Sequence, residues 1–154
     1  METYTILFAE DEDSLREIFT ELLRSEGYEC LEARNGEEAI EVLKAHPKVD
    51  LVLTDFNMPK LNGTQLLFWC RQNDFHMPFI FMTANVERLP IEEMALGDCC
   101  SSMLQKPVSF TQLLEEIERA KVRNHDFECH GKAFNPELDP VKKDFPGQQY
   151  LDHR

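Results

Sequence analysis

The sequence lacks the features that mark membrane, secreted and nucleic-acid-binding proteins. No apolar run approaches the roughly 18 residues that a membrane-spanning helix requires. The amino-terminal stretch METYTILFAEDED has neither a basic region nor a small-residue cleavage site, so we expect no signal peptide. Basic residues are few, with 16 Lys and Arg against 29 Asp and Glu, and they form no visible patch. We therefore expect a cytoplasmic protein that contacts neither a membrane nor nucleic acid directly.

The five cysteines do not form a recognisable metal or disulfide framework. Their number is odd, and their spacings match neither a zinc site nor a set of disulfides. We expect Cys30 and Cys70 to lie in or near the core as small apolar residues. The adjacent pair at 99–100 and the Cys/His group at 125–130 are weaker candidates for redox and metal chemistry.

Short apolar segments alternate with amphipathic segments between residues 4 and 123. The apolar segments predict five strands, at 4–9, 28–33, 50–55, 78–83 and 102–105. Apolar residues at helical spacing predict a helix after each strand. This alternation indicates an α/β fold, a doubly wound (βα)5 domain whose five-stranded parallel sheet carries helices on both faces.

Residues that favour helix ends accompany the predicted helices. Asp13 or Ser14 is expected to cap the first helix. Pro90 suits the first turn of the fourth helix, and a capping box, S-x-x-Q, begins at Ser109 before the last helix.

The pattern stops at about residue 124. The stretch 125–154 holds three prolines, two glycines and mixed charges, and it has no amphipathic period. We therefore expect a domain over 1–124 and a C-terminal extension over 125–154. This extension is a tail or linker, partly disordered or packed on the domain surface.

Polar side chains suited to phosphate chemistry follow four of the predicted strands. The ends of the first, third, fourth and fifth strands carry, in that order, Glu10 with Asp11, Asp55, Thr83 and Lys106. Taken singly, each has a plain explanation, such as a surface lysine or an acid pair that favours a helix start. Sites in doubly wound sheets form at the carboxyl ends of the strands, so these groups converge if the strands are neighbours.

Such a cluster can support phosphoryl transfer. Carboxylates at one rim repel each other unless a cation offsets their charge, and Mg²⁺ takes one or two carboxylates together with substrate oxygens. Lys106 can hold a phosphate oxygen, and Thr83 can donate to another. Asp55 is then free to attack phosphorus, and we predict that it accepts a phosphoryl group.

Four segments together resemble the receiver domain of two-component response regulators, the CheY-like family. They are ILFAEDED, LVLTDFNMPKLNG, IFMTAN and LQKPV, and the resemblance covers about residues 3 to 123. It implies a flavodoxin-like strand order of 2-1-3-4-5. It also implies phosphorylation of Asp55 by a sensor histidine kinase or phosphotransfer protein, with a conformational change that signals to an unknown downstream protein.

The resemblance further assigns roles around Asp55. Glu10 and Asp11 look like the acidic pair that, with Asp55, supports Mg²⁺, and Asn57 matches the position whose backbone carbonyl completes the metal shell. Lys106 looks like the phosphate-binding lysine, which precedes a proline through a peptide that is usually cis in the family.

The remaining implied roles concern switching and phosphate lifetime. Thr83 looks like the switch hydroxyl, while Asn57 and Asn85 occupy positions that tune hydrolysis of the acyl phosphate. Met103 stands where the family usually has a switch aromatic, and the segment from Gly97 to the lysine is longer than usual. We expect intact phosphorylation chemistry with atypical coupling to output.

Two other functions remain open at this stage. A pseudo-receiver would only bind partner proteins, without phosphorylation. An aspartyl-nucleophile phosphatase of the haloacid-dehalogenase type also places an Asp after an apolar strand, but it needs a second Asp where this chain has Asn57. We expect a signalling domain that catalyses only its own phosphotransfer and dephosphorylation, either standing alone or belonging to a larger regulator.

Overall fold

A computed structural model describes residues 3–84 and 101–123. Its elements are β1 (Thr5–Ala9), α1 (Asp13–Ser25), β2 (Glu29–Ala33), α2 (Gly36–Ala45), β3 (Leu51–Asp55), α3 (Gly63–Gln72), β4 (Phe79–Thr83), β5 (Ser101–Gln105) and α4 (Phe110–Arg123). The predicted helix near Pro90, Asn85 and the predicted tail over 125–154 lie outside the described residues. Among the helices of the described ranges, none has the length and apolar character to cross a membrane.

The five strands form one parallel sheet in the order β2-β1-β3-β4-β5. This confirms the predicted order and the α/β fold. Each strand begins within one residue of its predicted start. The order places β1, β3, β4 and β5 side by side, so their carboxyl ends share one edge of the sheet.

Two apolar cores lie on opposite faces of the sheet. Successive residues of a strand alternate between them, because side chains in a strand point to opposite faces. One core joins Leu7, Val52 and Phe81 to α2 and α3, and it includes Cys70. The other joins strand residues such as Phe8 to α1 and α4, and it includes Cys30. The predicted burial of both cysteines is confirmed.

The helix starts show both a confirmed and a wrong prediction. Ser109 and Gln112 form the expected capping box, in which the Gln112 backbone N–H donates to Ser109 Oγ at 3.1 Å. The predicted cap of α1 is wrong: the helix begins at Asp13, and the preceding Glu12 makes no side-chain capping bond. The Asp13 carboxylate instead accepts a 2.5 Å hydrogen bond from Arg16.

Candidate functional site: an acidic cluster bridged by a lysine

Backbone hydrogen bonds between neighbouring strands continue for one residue beyond the strand ends. These bonds position the residues of the site. The N–H of Glu10 donates to the Ala33 carbonyl at 3.0 Å, and that of Phe56 to the Met82 carbonyl at 2.8 Å. The N–H of Lys106 donates to the Thr83 carbonyl at 2.7 Å. The residues that follow β1, β3 and β5 are therefore held in register with their neighbours.

Lys106 bridges two carboxylates that come from different strand ends. Its Nζ lies 3.0 Å from Glu10 Oε1 and 2.9 Å from Asp55 Oδ2. The lysine side chain is 21% exposed, while Glu10 is 1% exposed and Asp55 is 7% exposed. Because these carboxylates have little contact with water, the ammonium supplies much of the compensation for their charge.

Asp11 completes a group of three acids. One carboxylate oxygen from each of Glu10, Asp11 and Asp55 lies within 4.8 Å of the other two, and Asp11 is exposed. Backbone groups orient the two buried members: the Glu12 N–H donates to Glu10 Oε2 at 3.1 Å, and the Asn57 N–H donates to Asp55 Oδ1 at 3.2 Å. The structure thus brings together the acids predicted from separate strand ends.

The electrostatics of the cluster leave it short of positive charge. Burial raises the pKa of Glu10 to about 7, and the nearby charge of Asp55 adds to this rise; the hydrogen bonds from Glu12 and Lys106 oppose it. Burial alone would lower the pKa of Lys106, but its bonds to Asp55 and Glu10 outweigh this effect and raise it. A further cation would therefore stabilise the ionised acids.

The donor set fits Mg²⁺. All three side chains offer carboxylate oxygens, which are the hard ligands that Mg²⁺ prefers, and Mg²⁺ needs only one or two carboxylates because water and substrate oxygens fill its remaining positions. The exposed Asp11 leaves the group open on one side, where such waters or a phosphate can enter.

The loop between Asp55 and α3 is packed too tightly for a larger residue at Gly63. A Cβ on Gly63 would lie 2.8 Å from the Asp55 carbonyl oxygen and 3.1 Å from the Phe81 ring. The Gly63 N–H also donates to the Phe56 carbonyl at 3.0 Å. Because glycine has no Cβ, the first residue of α3 can pack directly against the backbone of Asp55.

Two further predicted site residues, Thr83 and Met103, lie on β4 and β5. Thr83 is fully buried at the end of β4, and the Lys106–Pro107 peptide is cis, as the resemblance implied. Met103 pairs in register with Phe81 and is a half-buried neighbour of the core that α2 and α3 cover. Asn85 falls outside the described residues.

Sequence reasoning missed one residue beside the site. Arg16 is buried on α1 and donates from Nη1 to the Glu10 carbonyl oxygen at 2.8 Å. It occupies the same helix face as Phe19, Thr20 and Leu23, which are also buried. The sequence signal for this was the helical spacing of Arg16 with these residues. A charged side chain on a buried helix face needs hydrogen-bond or ion-pair partners.

Comparison with known proteins identifies the family. The model of the response regulator receiver domain matches residues 6–118. The chain belongs to this family. Receiver domains are signalling domains of two-component systems, for which phosphorylation and Mg²⁺ are typical, and they interact with histidine kinases and downstream proteins.

Individual receiver proteins resemble this chain over most of its length. The polar-differentiation response regulator DivK of Brucella anthropi is 29% identical over 116 residues, which cover 74% of this chain and 93% of DivK. A response regulator receiver protein from Sinorhizobium medicae has a TM-score of 0.69 and 28% identity, covering 80% of this chain and 98% of that structure.

A second similar structure contains ligands. The response regulator protein TrrA of Thermotoga maritima, solved in complex with Mg²⁺-BeF, has a TM-score of 0.66 and 27% identity. The match covers 77% of this chain and 99% of TrrA.

Proposed function

We propose that Asp55 accepts a phosphoryl group from a phosphohistidine on a sensor histidine kinase or phosphotransfer protein, in a reaction that requires Mg²⁺. One observation carries the proposal: the ammonium of Lys106 bridges Asp55 and Glu10 at 2.9 and 3.0 Å, and a carboxylate oxygen of Asp11 lies within 4.8 Å of an oxygen of each of these two acids. This arrangement pairs a nucleophilic carboxylate with a site for a cation and a fixed ammonium beside it.

The proposed reaction is a simple displacement at phosphorus. A carboxylate oxygen of Asp55 forms the new P–O bond while the P–N bond of phosphohistidine breaks, and the imidazole nitrogen leaves with the electron pair of that bond. Lys106 exchanges its contact with Asp55 for one with a phosphoryl oxygen. Glu10, Asp11, Asp55 and the backbone carbonyl of Asn57 would hold Mg²⁺, which when bound offsets charge on the transferring oxygens.

The signalling step in this proposal begins at Thr83. Its position at the end of β4, next to the strand that leads to Lys106, would let its hydroxyl bond to a phosphoryl oxygen. The shift of that hydroxyl would favour one of two conformations that a downstream protein distinguishes. Met103 would take part in that change, and Asn57 and Asn85 would set the lifetime of the acyl phosphate.

The Mg²⁺-BeF complex of TrrA supports the metal requirement, since a similar fold was solved with that combination. The proposal treats residues 1–124 as the receiver domain and 125–154 as a tail or linker. The domain's own chemistry is then limited to taking up and losing its phosphate.

The test is phosphorylation by a small donor. The full chain is incubated with Mg²⁺ and acetyl phosphate, and its intact mass is recorded over time. Asp55→Asn removes the nucleophile. Asp50→Asn is the matched control, because Asp50 directly precedes the same strand at its other end, where its carboxylate accepts a 2.8 Å bond from the Thr5 N–H.

We expect one added phosphoryl group in the wild type and in Asp50→Asn, and none in Asp55→Asn or in wild-type protein with a chelator. Rapid multiple turnover of the donor would instead indicate a phosphatase. Absence of any adduct in the wild type, together with absence of Mg²⁺ binding, would indicate a module that only binds partners.

A further inference from the structure

Arg16 is a buried charge that touches the site without belonging to the acidic cluster. Its side chain is 10% exposed, on the face of α1 that packs against the sheet. Nη1 donates to the carbonyl oxygen of Glu10 at 2.8 Å. Burying a guanidinium is unfavourable unless its donors are satisfied, so this placement needs a physical reason.

The contact with Glu10 fixes the direction in which the chain runs on to Asp11. The carbonyl oxygen of Glu10 lies in the peptide plane that joins these two residues, and that plane is rigid. The N–H of Glu10 is held on its other side by the Ala33 carbonyl at 3.0 Å. Because both the N–H and the carbonyl of Glu10 are hydrogen-bonded, the backbone positions from which the side chains of Glu10 and Asp11 project are fixed.

Two acids hold Arg16 in place for this contact. Nη2 donates to Asp13 Oδ1 at 2.5 Å, and Nε lies 3.5 Å from Glu32 Oε1 at the end of β2. Burial would lower the pKa of Arg16, but the contact with Asp13 outweighs this and raises it, so the guanidinium stays charged. Its donors are spread over three nitrogens in one plane and so reach three separated partners, whereas a lysine offers its three donors from a single nitrogen.

We infer that Arg16 is a positioning residue for the metal site, which sets Mg²⁺ affinity by holding the Glu10 carbonyl and thereby the relative placement of Glu10 and Asp11. The inference rests on the proposed function, because it assumes that these acids bind Mg²⁺. It assigns Arg16 no contact with the metal or the phosphate.

Arg24 provides a matched control on the same helix. Its Nη2 donates to a strand carbonyl, that of Cys30, at 2.8 Å, and lies 3.9 Å from Glu32. Arg16→Gln and Arg24→Gln therefore each remove a bond from a guanidinium to a backbone carbonyl and an ion pair with the same glutamate. Only the Arg16 change does so at the acidic cluster.

Mg²⁺ binding is measured by isothermal titration calorimetry on the full chain without a phosphodonor. We expect Arg16→Gln to weaken binding by about tenfold, as is typical when a residue that orients metal ligands is lost. Arg24→Gln is expected to bind as the wild type does. The initial rate with acetyl phosphate should fall in Arg16→Gln at low Mg²⁺ and recover at saturating Mg²⁺.

Thermal unfolding of both variants separates positioning from general destabilisation. Wild-type Mg²⁺ affinity in Arg16→Gln would overturn the inference, and so would an equal loss of affinity in Arg24→Gln. Should Arg16→Gln fail to fold, Arg16→Lys decides: weakened binding in a folded protein supports the inference, and wild-type binding overturns it.

Failure of this inference can be told apart from failure of the proposed function. Wild-type protein that binds Mg²⁺ but forms no adduct would contradict the proposed function alone. Wild-type protein that forms the adduct while Arg16→Gln keeps full affinity would contradict only the role of Arg16.

Discussion

Lys106 balances charge that would otherwise destabilise the folded domain. Replacing it with alanine leaves Glu10 and Asp55 facing each other without their ammonium partner. We expect Lys106→Ala to lower the free energy of unfolding by about 1–3 kcal/mol at neutral pH, because buried charged groups lose a partner. Urea unfolding measures the change, and added Mg²⁺ should restore part of it.

Lys44→Ala is the control for this prediction. Lys44 pairs with Glu41 at 3.7 Å within α2, where both side chains are exposed. Exposed pairs of this kind contribute about 0–1 kcal/mol. Equal unfolding free energies for the two lysine variants would show that the Lys106 bridge stabilises the fold no more than an exposed ion pair does.

Substitution of Thr83 should distinguish the uptake of phosphate by Asp55 from the conformational response to it. The residue contributes no carboxylate to the cluster, so Thr83→Ala should still form the Asp55 adduct. The change that follows should be lost, because the hydroxyl that senses the phosphoryl group is gone. Amide hydrogen exchange of β5, with and without beryllofluoride, measures the response. Thr83→Ser keeps the hydroxyl and should keep the response; an unaltered response in Thr83→Ala would rule out the proposed role.

Close packing between elements links the start of α3 to the site. Gly63→Ala would push its new methyl group towards the Asp55 carbonyl and the Phe81 ring. We expect a loss of about 1–3 kcal/mol in unfolding free energy from this overpacking. The rate of Asp55 phosphorylation should fall with it, because the nucleophile's backbone must shift.

Gly27→Ala tests whether that rate loss is specific. Gly27 follows α1 with a φ of +93°, a conformation that disfavours alanine by about 1–2 kcal/mol, and a Cβ there meets nothing within 4 Å. Gly27→Ala should therefore lower the free energy of unfolding, but Asp55 of this variant should be phosphorylated at the wild-type rate. A similar rate loss in both glycine variants would mean that stability alone explains the effect.

The strands were the elements most open to prediction from sequence. Their apolar runs are short and end at polar residues, so starts and ends were found to within one residue. The cap of α1 was not predictable in the same way. Asp13 is a good capping residue in isolation, but in the fold its carboxylate meets Arg16, a contact that depends on where the helix packs.

Across the whole domain, Mg²⁺ binding should appear as added stability. A ligand that binds only the folded state stabilises it by about 2.7 kcal/mol when its free concentration is about 100 times Kd. We expect the melting temperature of the wild type to rise with Mg²⁺ and to return to baseline with a chelator. Asp11→Asn should weaken this rise without abolishing folding, since Asp11 is exposed. A melting temperature insensitive to Mg²⁺ would contradict the metal site.

The candidate site shows what a sequence can and cannot supply. Residue types at strand ends predicted that Glu10, Asp55 and Lys106 converge, because parallel strands deliver their ends to one edge. Which carboxylate oxygen meets the ammonium, and the burial that raises the pKa of Glu10, depend on packing between distant elements. The contacts of Arg16 depend on such packing too, because its partners come from β2, from α1 and from the residue that follows β1.

The account depends on Asp55 being the residue that takes the phosphoryl group, and mapping the modified residue tests this most directly. Protein treated with acetyl phosphate and Mg²⁺ is reduced with borohydride, which converts an acyl phosphate to an alcohol, and its peptides are sequenced by mass spectrometry. The account predicts conversion of Asp55 alone to homoserine. Conversion at another acid, with Asp55 left intact, would contradict it.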